Sequence, residues 1–389
     1  MEIGVPADRL EGETRVALVP EAAGSLVDRG HDVVVEKEAG LGSDWTDEDY
    51  EDAGCDVVEA DRAFEADVVL QVNGLGATDA LSPDTYAEGQ VAVGMQAPYE
   101  IDDEEMQALA RRDVTAFALE LMPRISRAQS MDALSSMASV GGYKAAVLAA
   151  ERLPKLYPMQ MTAAGTVRPA EVFVVGAGVA GLQAIATAER LGASVRAYDI
   201  RPEVAEEVES LGADFVELDL DTDDASEGGH AKHQDEEFYR KQRKMMTRVV
   251  ADSDVVITTA AVPGGPAPEL VTSEMIDGMD PGSVIVDLAA AGGGNCEPTE
   301  ADEVVTYAEV EVHGPTNLPA TVPHTASELY SNNMTSFLDH VTEGDEIEID
   351  LDDEITTSTL LTYEGEARMP HKRDASGDAG EDGGDEEGE

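Results

Sequence analysis

A glycine-rich turn between two apolar runs sets the strongest limit on the fold of this chain. The run Glu171–Val175 leads into Gly176-Ala-Gly178-Val-Ala-Gly181, a helical pattern follows, and the next apolar run ends at Asp199. In such a turn the first glycine makes the bend, the second lets the backbone approach a pyrophosphate, and the third lets the helix pack closely against the strand. The free N–H groups at the start of the helix favour a bound phosphate. The pattern therefore predicts a βαβ unit that binds a dinucleotide.

Asp199 lies roughly 20 residues beyond the turn, where an acid contacts the ribose of a dinucleotide. A carboxylate there accepts hydrogen bonds from the ribose hydroxyls of NAD and repels the 2′-phosphate of NADP, so NAD(H) is the expected cofactor. Arg201 weakens this inference, because an arginine can bind the 2′-phosphate of NADP through its guanidinium group. The alternative is a glycine-rich turn in a domain that binds nothing. The ordered strand, helix and acid argue against it.

The remainder of the chain alternates short β-rich runs with amphipathic segments, a spacing that predicts parallel sheets covered by helices. A length of 389 residues allows two or three domains. We expect two doubly wound α/β domains, one a Rossmann NAD domain and one Rossmann- or flavodoxin-like, which flank a cleft and are joined by long helices. The expected ranges are an N-terminal domain of 1–132 completed by 313–363, a Rossmann domain of 133–312, and a disordered acidic tail of 364–389.

Within this plan each buried strand corresponds to a short apolar run. The predicted strands are Glu2–Pro6, His31–Glu36, Asp67–Val72, Gln90–Met95, Val114–Ala118, Asp254–Thr259, Ser283–Leu288 and Tyr307–Val312. Predicted helices include Pro20–Arg29, Asp102–Arg111, most of Gln129–Arg152, and Ala320–His340. The proline-containing stretch Leu153–Ala170 should be a break.

Two further loops follow predicted strands, with the sequences ITTAAVPGGPAP at 257–268 and DLAAAGGGNC at 287–296. Ligands of doubly wound sheets bind beyond the carboxyl ends of the strands. Thr258 to Val262 should then form the far wall of the dinucleotide crevice. For either loop alone, an ordinary flexible loop is an equally good interpretation.

The segment Arg124–Asp132, with the sequence RISRAQSMD, follows a predicted strand and precedes the long helix. It places two arginines, a glutamine and an aspartate at the seam between the expected domains. From the pattern alone, a solvated helix cap that uses Asp132 or Ser130 is the favoured interpretation.

Acidic residues dominate the charge: 82 Asp and Glu against 25 Lys and Arg give a net charge of −57. This charge disfavours nucleic acid as a partner, and its spread along the chain predicts a protein adapted to high salt, where repulsion is screened. A basic protein partner is the alternative. An anionic cofactor then needs local positive charge, expected at Arg124, Arg127 and Arg201 and at the helix that follows Gly178.

Other composition features restrict the location and the chemistry. The two cysteines, Cys55 and Cys296, form no disulfide framework, which indicates a reducing, cytoplasmic compartment. The histidines form no metal-type cluster, so no metal site is expected. No secretory signal or membrane span is expected either, and hence no direct membrane insertion.

Taken together, these segments resemble the NAD(H)-binding alpha subunit of proton-translocating NAD(P) transhydrogenase, a family related to alanine dehydrogenases. The matching stretches are ETRVALVPE at 13–21, MPRISRAQSMDALSS at 122–136, GAGVAGLQAIATAERLGA at 176–193, YDIRPEV at 198–204, ITTAAVPGGPAP at 257–268 and VIVDLAAAGGGNCE at 284–297. The resemblance covers nearly the whole folded chain.

The resemblance implies a set of site residues. Those implied at the hydride-transfer site are Arg124, Gln129, Asp132 and Ser135. Those implied to contact the cofactor are Ile125, Ser130, Met131, Gly176, Gly178, Val179, Ala180, Gly181, Asp199, Ile200, Arg201, Gly229, Gln242, Ala261 and Val262. The chain departs from the family in one place: His230 follows Gly229 where the family often carries a tyrosine, which leaves closure of that loop open.

The resemblance also implies a mechanism and partners. A hydride moves directly from NADH to NADP⁺ held on a partner subunit, in a Re/Si-specific transhydrogenase, so the chain needs position rather than an acid or base. A membrane-spanning subunit carries the coupled proton. The chain would be a homodimer, cytoplasmic and peripheral to the membrane, with its acidic tail as a spacer.

Alanine dehydrogenase is the closest alternative activity. That family binds pyruvate with an arginine, a lysine and a catalytic histidine. Arg15 is present, but the lysine should fall near Gln71 and the histidine near Gly94 or Met95. Without them, oxidative deamination is not expected. A non-catalytic NAD-sensing subunit is the third hypothesis.

Overall fold

The computed structural model describes residues 1–217, 242–344 and 346–368, and within them the chain forms two large sheets. Strands β1 to β6 of the first sheet pair in parallel, and the last two strands of the chain join its edge in antiparallel pairing. The order is β19-β18-β6-β5-β4-β1-β2-β3. These strands are β1 (Glu2–Val5), β2 (Asp32–Glu36), β3 (Asp56–Val58), β4 (Val68–Asn73), β5 (Val91–Met95), β6 (Thr115–Ala118), β18 (Leu360–Tyr363) and β19 (Glu366–Ala367).

The second sheet has seven strands in the order β11-β10-β9-β12-β13-β15-β14, all parallel except the final β14–β15 pair. They are β9 (Glu171–Val175), β10 (Ser194–Tyr198), β11 (Asp214–Phe215), β12 (Val255–Thr258), β13 (Val284–Asp287), β14 (Val304–Tyr307) and β15 (Val310–His313). Two small hairpins complete the strands, β7 (Gln160–Thr162) with β8 (Gly165–Val167), and β16 (Thr342–Glu343) with β17 (Glu346–Ile347).

Both sheets reverse their strand order at one point. In the first sheet the reversal lies between β1 and β4, and in the second it lies between β9 and β12. Both follow the Rossmann order, which confirms the predicted doubly wound folds and assigns the N-terminal sheet to the Rossmann rather than the flavodoxin arrangement. In doubly wound sheets ligands bind beside such a reversal, at the carboxyl ends of the strands. In the second sheet this place lies at the ends of β9 and β12, the strands that precede the glycine-rich turn and the loop at 259–268.

The described ranges contain eleven α-helical segments. They are α1 (Pro20–Asp28), α2 (Asp47–Asp52), α3 (Ala60–Ala63), α4 (Asp103–Arg111), α5 (Ala133–Arg152), α6 (Val179–Arg190), α7 (Ala205–Ser210), α8 (242–251), α9 (Ser273–Ile276), α10 (Pro323–Val341) and α11 (Glu354–Thr359). Pro20 and Pro323 stand at the first position of their helices, where the missing N–H costs no hydrogen bond.

Helix α5 is shared between the two hydrophobic cores. Ala133 and Met137 in its first half are buried in the core of the first sheet, whereas Ala145 and Ala149 are buried in that of the second. Helix α10 packs on the first core through Tyr330 and its neighbours. The predicted joining of the domains by long helices is therefore confirmed, and α5 carries it.

The structure differs from the sequence predictions at four places. The long helix starts at Ala133, because a 3₁₀ turn at Ser126–Met131 precedes the cap. The predicted break at 153–170 contains the β7–β8 hairpin, and the predicted strand at 307–312 is two strands joined by a turn. The predicted disordered tail begins too early, because Glu366–Ala367 turns back and pairs with β18.

Candidate functional site

The glycine-rich turn after β9 leaves open space at only one of its three glycines. Gly176 has φ +99°, and a Cβ there would lie 2.4 Å from Oγ1 of Thr259. A Cβ on Gly181 would lie 1.9 Å from the carbonyl oxygen of Gly176. A Cβ on Gly178, in contrast, would meet no atom within 4 Å. The first and third glycines are therefore required by packing, and the second borders a space that a ligand can enter.

The N-terminus of α6 suits an anion in that space. Gly178 is its N-cap and supplies no side-chain hydrogen bond to the first turn. Val179, the first helical residue, is 47% exposed, and Ala180 is half-buried. The free N–H groups and the helix dipole of this twelve-residue helix favour a phosphate here.

Asp199 closes the crevice on the side of β10. Its carboxylate accepts the backbone N–H of Ala177 at 2.7 Å, and it accepts the N–H of Arg201 at 2.9 Å. The guanidinium of Arg201 adds contacts of 3.1 and 3.2 Å. Burial opposes ionisation of Asp199, but these bonds outweigh it and lower its pKa. The site thus presents a carboxylate that stays charged, with a half-exposed arginine paired to it.

The same side of the crevice carries two more predicted residues. Ile200 is 64% exposed, which leaves its side chain open to an adenosine group. Gln242, in the described part of α8, donates through Nε2 to the hydroxyl of Tyr198 at 2.9 Å. Gly229, together with His230, lies outside the described residues.

The loop after β12 lies against the glycine-rich turn. Thr259 Oγ1 lies 3.2 Å from the carbonyl oxygen of Gly176, which joins this loop to the glycine-rich turn. Ala261 is exposed and Val262 is half-buried. Further along, a Cβ on Gly264 would lie 2.6 Å from the ring of Tyr99, so the loop contacts a residue that follows β5 of the first sheet. This loop therefore lies between the two sheets.

A second group of predicted residues surrounds the start of α5. Asp132 is the N-cap: its carboxylate accepts the backbone N–H of Ser135 at 2.8 Å and the hydroxyl of Ser135 at 2.5 Å. The capping role favoured from the pattern is therefore confirmed. Arg124 and Gln129 are exposed, and their side chains make no hydrogen bond or ion pair to any other described residue. They are available to a ligand or a partner.

The loop that carries Arg124 and Gln129 is tied down from the C-terminal region of the chain. Arg127 forms an ion pair with Asp353, and Asn333 Nδ2 donates to the carbonyl oxygen of Ser130 at 2.9 Å. The sequence predicts that Arg127 offsets cofactor charge, but this ion pair commits it to anchoring the loop. Arg201 is likewise paired, so only Arg124 of the three arginines has a free guanidinium within the described ranges.

Two apolar members of the predicted cofactor set face the first core. Met131 is 8% exposed and belongs to that core, and Ile125 packs against it. Their main chains rather than their side chains are available to a cofactor. Ser130 is exposed.

The N-terminal sheet holds a buried polar cluster at the carboxyl ends of its strands. Arg15 is 7% exposed, and its Nε and Nη2 lie 2.8 and 2.6 Å from the two carboxylate oxygens of Glu13. Burial would raise the pKa of Glu13, but the bonds from Arg15 and Asn317 hold it at about 2. Gln71 is buried and accepts the hydroxyl of Tyr86 at 2.8 Å.

The described ranges contain no group of His, Cys, Asp and Glu side chains that could hold a metal ion. In the same ranges, no helix has the length and apolar character needed to cross a bilayer.

Family models match almost the whole chain. The model for the N-terminal domain of alanine dehydrogenase/PNT matches residues 4–141, and the model for the C-terminal domain of the same family matches residues 145–370. The chain belongs to the alanine dehydrogenase/PNT family. The two family models meet within α5, the helix that both cores share.

Sequence identity separates the two branches of the alanine dehydrogenase/PNT family. NAD(P) transhydrogenase subunit alpha of Haemophilus influenzae is 42% identical over 377 residues, which cover 95% of this chain and 72% of that protein. Alanine dehydrogenase 2 of Staphylococcus aureus is 32% identical over 346 residues, covering 86% and 85%. The crystal structure of transhydrogenase from Sinorhizobium meliloti superposes with a TM-score of 0.85 at 43% identity, covering 95% of this chain and all of that one. The resemblance to transhydrogenase alpha subunits is confirmed.

Sequence reasoning missed several residues that shape the site. Asp287 is the first residue of the DLAAAGGGNC segment and Asn295 is the last but one. In that segment only the glycines had indicated a ligand. Asn333 and Asp353 lie far along the chain from the loop that they hold. The polar residues at the two ends of this glycine-rich segment could have indicated Asp287 and Asn295.

Proposed function

We propose that this chain is the NAD(H)-binding subunit of a proton-translocating NAD(P) transhydrogenase. The observation that carries the proposal is the course of α5. This helix begins after the loop that carries the exposed Arg124 and Gln129. At Gly142 it packs against α6, which begins at the glycine-rich turn, here proposed to bind the pyrophosphate and called the phosphate turn. One rigid element therefore links the residues proposed for the nicotinamide end of NADH to those proposed for its pyrophosphate.

The proposed chemistry requires position and no protein acid or base. When bound, NADH supplies a hydride from C4 of its nicotinamide ring. Arg124 binds the nicotinamide mononucleotide half, and Asp132 with Ser135 orients the carboxamide. Gln129, exposed at the end of the loop, reaches toward the nucleotide of the partner. At the other end, Asp199 binds the adenosine ribose.

The partners follow from the single dinucleotide crevice proposed for this chain. NADP(H) is held on a second subunit, a membrane-spanning subunit carries the coupled proton, and transfer is Re/Si-specific. The chain is then a cytoplasmic protein held at the membrane by its partners. A second copy of the chain would cover the β7–β8 hairpin, whose residues are all exposed and include Met161 at 74%.

Alanine dehydrogenase activity is the alternative, and the first sheet argues against it. Gln71 stands near the place where that activity needs a lysine. Its side-chain oxygen already accepts a hydrogen bond from the hydroxyl of Tyr86. Gly94 and Met95 supply no proton-transfer group where the histidine is needed. An NAD-sensing role without hydride transfer would keep the crevice but not require the exposed Arg124 and Gln129.

The test is reconstitution in high salt with the two partner subunits. We expect hydride transfer from NADH to an NADP⁺ analogue only in the complete complex. Reduction of pyruvate with ammonia by the isolated chain would instead support an amino-acid dehydrogenase. NADH binding without any transfer in the complex would support the sensing role.

Arg124→Ala tests the assigned residue, with Arg111→Ala, an exposed arginine at the end of α4, as the matched control. We expect Arg124→Ala to lose most hydride transfer with a smaller loss of NADH binding, and Arg111→Ala to keep both. Equal activity of the two variants would remove Arg124 from the site.

A further inference from the structure

Asn295 is a fully buried amide that joins the loops after β12 and β13. Its Nδ2 donates to the carbonyl oxygens of Ala260 and Pro268, both at 2.8 Å, and its Oδ1 accepts the N–H of Ala260 at 2.9 Å. The residue is 0% exposed. All three bonds therefore go to the backbone of one loop. Two of them are made to the N–H and the C=O of Ala260.

The orientation of Asn295 is itself fixed by a buried carboxylate. Asp287, at the end of β13, is 0% exposed and accepts the backbone N–H groups of Asn295 and Cys296 at 2.7 and 3.0 Å. The hydroxyl of Thr299 donates to the same oxygen at 2.7 Å. Gly294 has φ +88°, and a Cβ there would lie 2.8 Å from this carboxylate. The bonds to Asp287 therefore hold the backbone of Asn295 in place.

Ala260, which is bonded to Asn295, lies next to the residues that line the proposed nucleotide crevice. The residue before it, Thr259, is bonded through Oγ1 to the carbonyl oxygen of Gly176 in the phosphate turn. The residues after it are Ala261 and Val262, which form the wall of the crevice. Fixing both the N–H and the C=O of Ala260 therefore fixes the wall relative to the turn.

We propose that Asn295 is a positioning residue for NAD(H): it holds the 259–262 wall at the width of the dinucleotide without touching the reacting atoms. The inference rests on the proposed function, because it takes NAD(H) as the occupant of this crevice. It assigns Asp287 as the anchor of Asn295.

The test compares Asn295→Ala with Gln90→Ala. Gln90 is 3% exposed, donates to the carbonyl oxygens of Phe64 and Ala66 at 2.8 and 2.5 Å, and accepts the N–H of Ala87 at 3.0 Å. Its amide makes the same three kinds of backbone bond, but it precedes β5 in the other sheet. The two variants thus remove matched buried hydrogen bonds, one beside the crevice and one away from it.

We expect Asn295→Ala to raise the dissociation constant of NADH, and its KM in the reconstituted complex, by about tenfold, with kcat at saturating NADH within about twofold. Gln90→Ala should leave both constants unchanged while losing a similar amount of stability to urea. If Asn295→Ala does not fold, Asn295→Ser replaces it, since serine is small and uncharged and keeps a hydroxyl but loses the amide that bonds Ala260 and Pro268.

Two results would overturn the inference. One is wild-type affinity for NADH in a folded Asn295 variant. The other is an equal loss of affinity in Gln90→Ala, which would make the effect one of general stability. Failure of the proposed function looks different, because the wild-type chain would then bind no NADH or support no transfer in the complex.

Discussion

The carbonyl oxygen of Ala180 lies only 2.0 Å from where a Cβ on Gly142 would stand. Helices α5 and α6 therefore meet backbone to backbone at this point. Helix α5 starts at the Asp132 cap beside the exposed arginine loop, and α6 starts at the phosphate turn. A contact this close sets the distance between the two ends of the proposed nucleotide site.

Gly142→Ala should disturb that distance. The added methyl group meets backbone rather than a flexible side chain, so the helices must separate, at a cost of about 1–3 kcal/mol. We expect lower stability to urea and weaker NADH binding. Gly141→Ala is the matched control, since a Cβ on Gly141 meets nothing within 4 Å and alanine favours helix by about 1 kcal/mol. Equal effects of the two substitutions would contradict the close-contact account.

Asp199→Asn should reduce the preference for NADH over NADPH. The amide oxygen can still accept the N–H of Ala177, but the negative charge is lost and Arg201 is released from its pair. We expect NADH affinity to fall and NADPH affinity to rise. The ratio of the affinity for NADH to that for NADPH should fall by about tenfold, the equivalent of about 1.4 kcal/mol. Equilibrium titration with both nucleotides measures this ratio. An unchanged ratio would show that Asp199 does not discriminate.

Glu120 should make stability depend on pH. Its carboxylate accepts the N–H groups of Ala97 and Gln96 at 2.6 and 3.1 Å, but burial outweighs these bonds and raises its pKa from 4.5 to about 7. Between these two values the folded chain keeps a proton that the unfolded chain releases, so the free energy of unfolding falls as pH rises.

Glu120→Gln removes this contribution. Relative to the wild type, the variant should therefore gain stability as the pH is raised from about 5 to about 8 in urea titrations. The comparison cancels the many carboxylates that both chains share. Parallel stability curves would mean that Glu120 titrates as it does in the unfolded chain.

The acidic surface should require salt. A net charge of −57 repels itself in dilute buffer, and at molar salt the screening length falls to roughly 3 Å. We expect the urea midpoint to rise steadily from dilute to molar KCl. Chloride is used because sulfate would also strengthen apolar burial. A midpoint that does not change with KCl would contradict the proposed adaptation to salt.

Much of the fold could be predicted because each buried parallel strand is a short continuous run of apolar residues in the sequence. The predicted strands that became β9, β12 and β13 differ from the observed ones by no more than one residue at each end. The β7–β8 hairpin escaped prediction because none of its six residues is buried and so no apolar pattern marks it. The tail boundary was wrong because β19 pairs through its backbone, which composition does not record.

The sequence could indicate which residues lie together where those residues belong to one local unit, and not where they are far apart in the chain. The glycine turn and Asp199 belong to one βαβ unit. Arg127 and Asp353, in contrast, are 226 positions apart, and Asn295 lies 35 positions from Ala260. Such pairs are fixed by the way in which the sheets assemble, so the roles of Arg127 and Asn295 became visible only in the fold.

The central claim is direct hydride transfer from NADH on this chain to a nucleotide on its partner. It is tested by supplying NADH that carries deuterium at the transferred C4 position to the reconstituted complex in high salt, and by mass analysis of the reduced NADP product. We predict that the product carries the deuterium in full. Loss of the label to solvent, or no labelled product from a complex that binds NADH, would contradict the account.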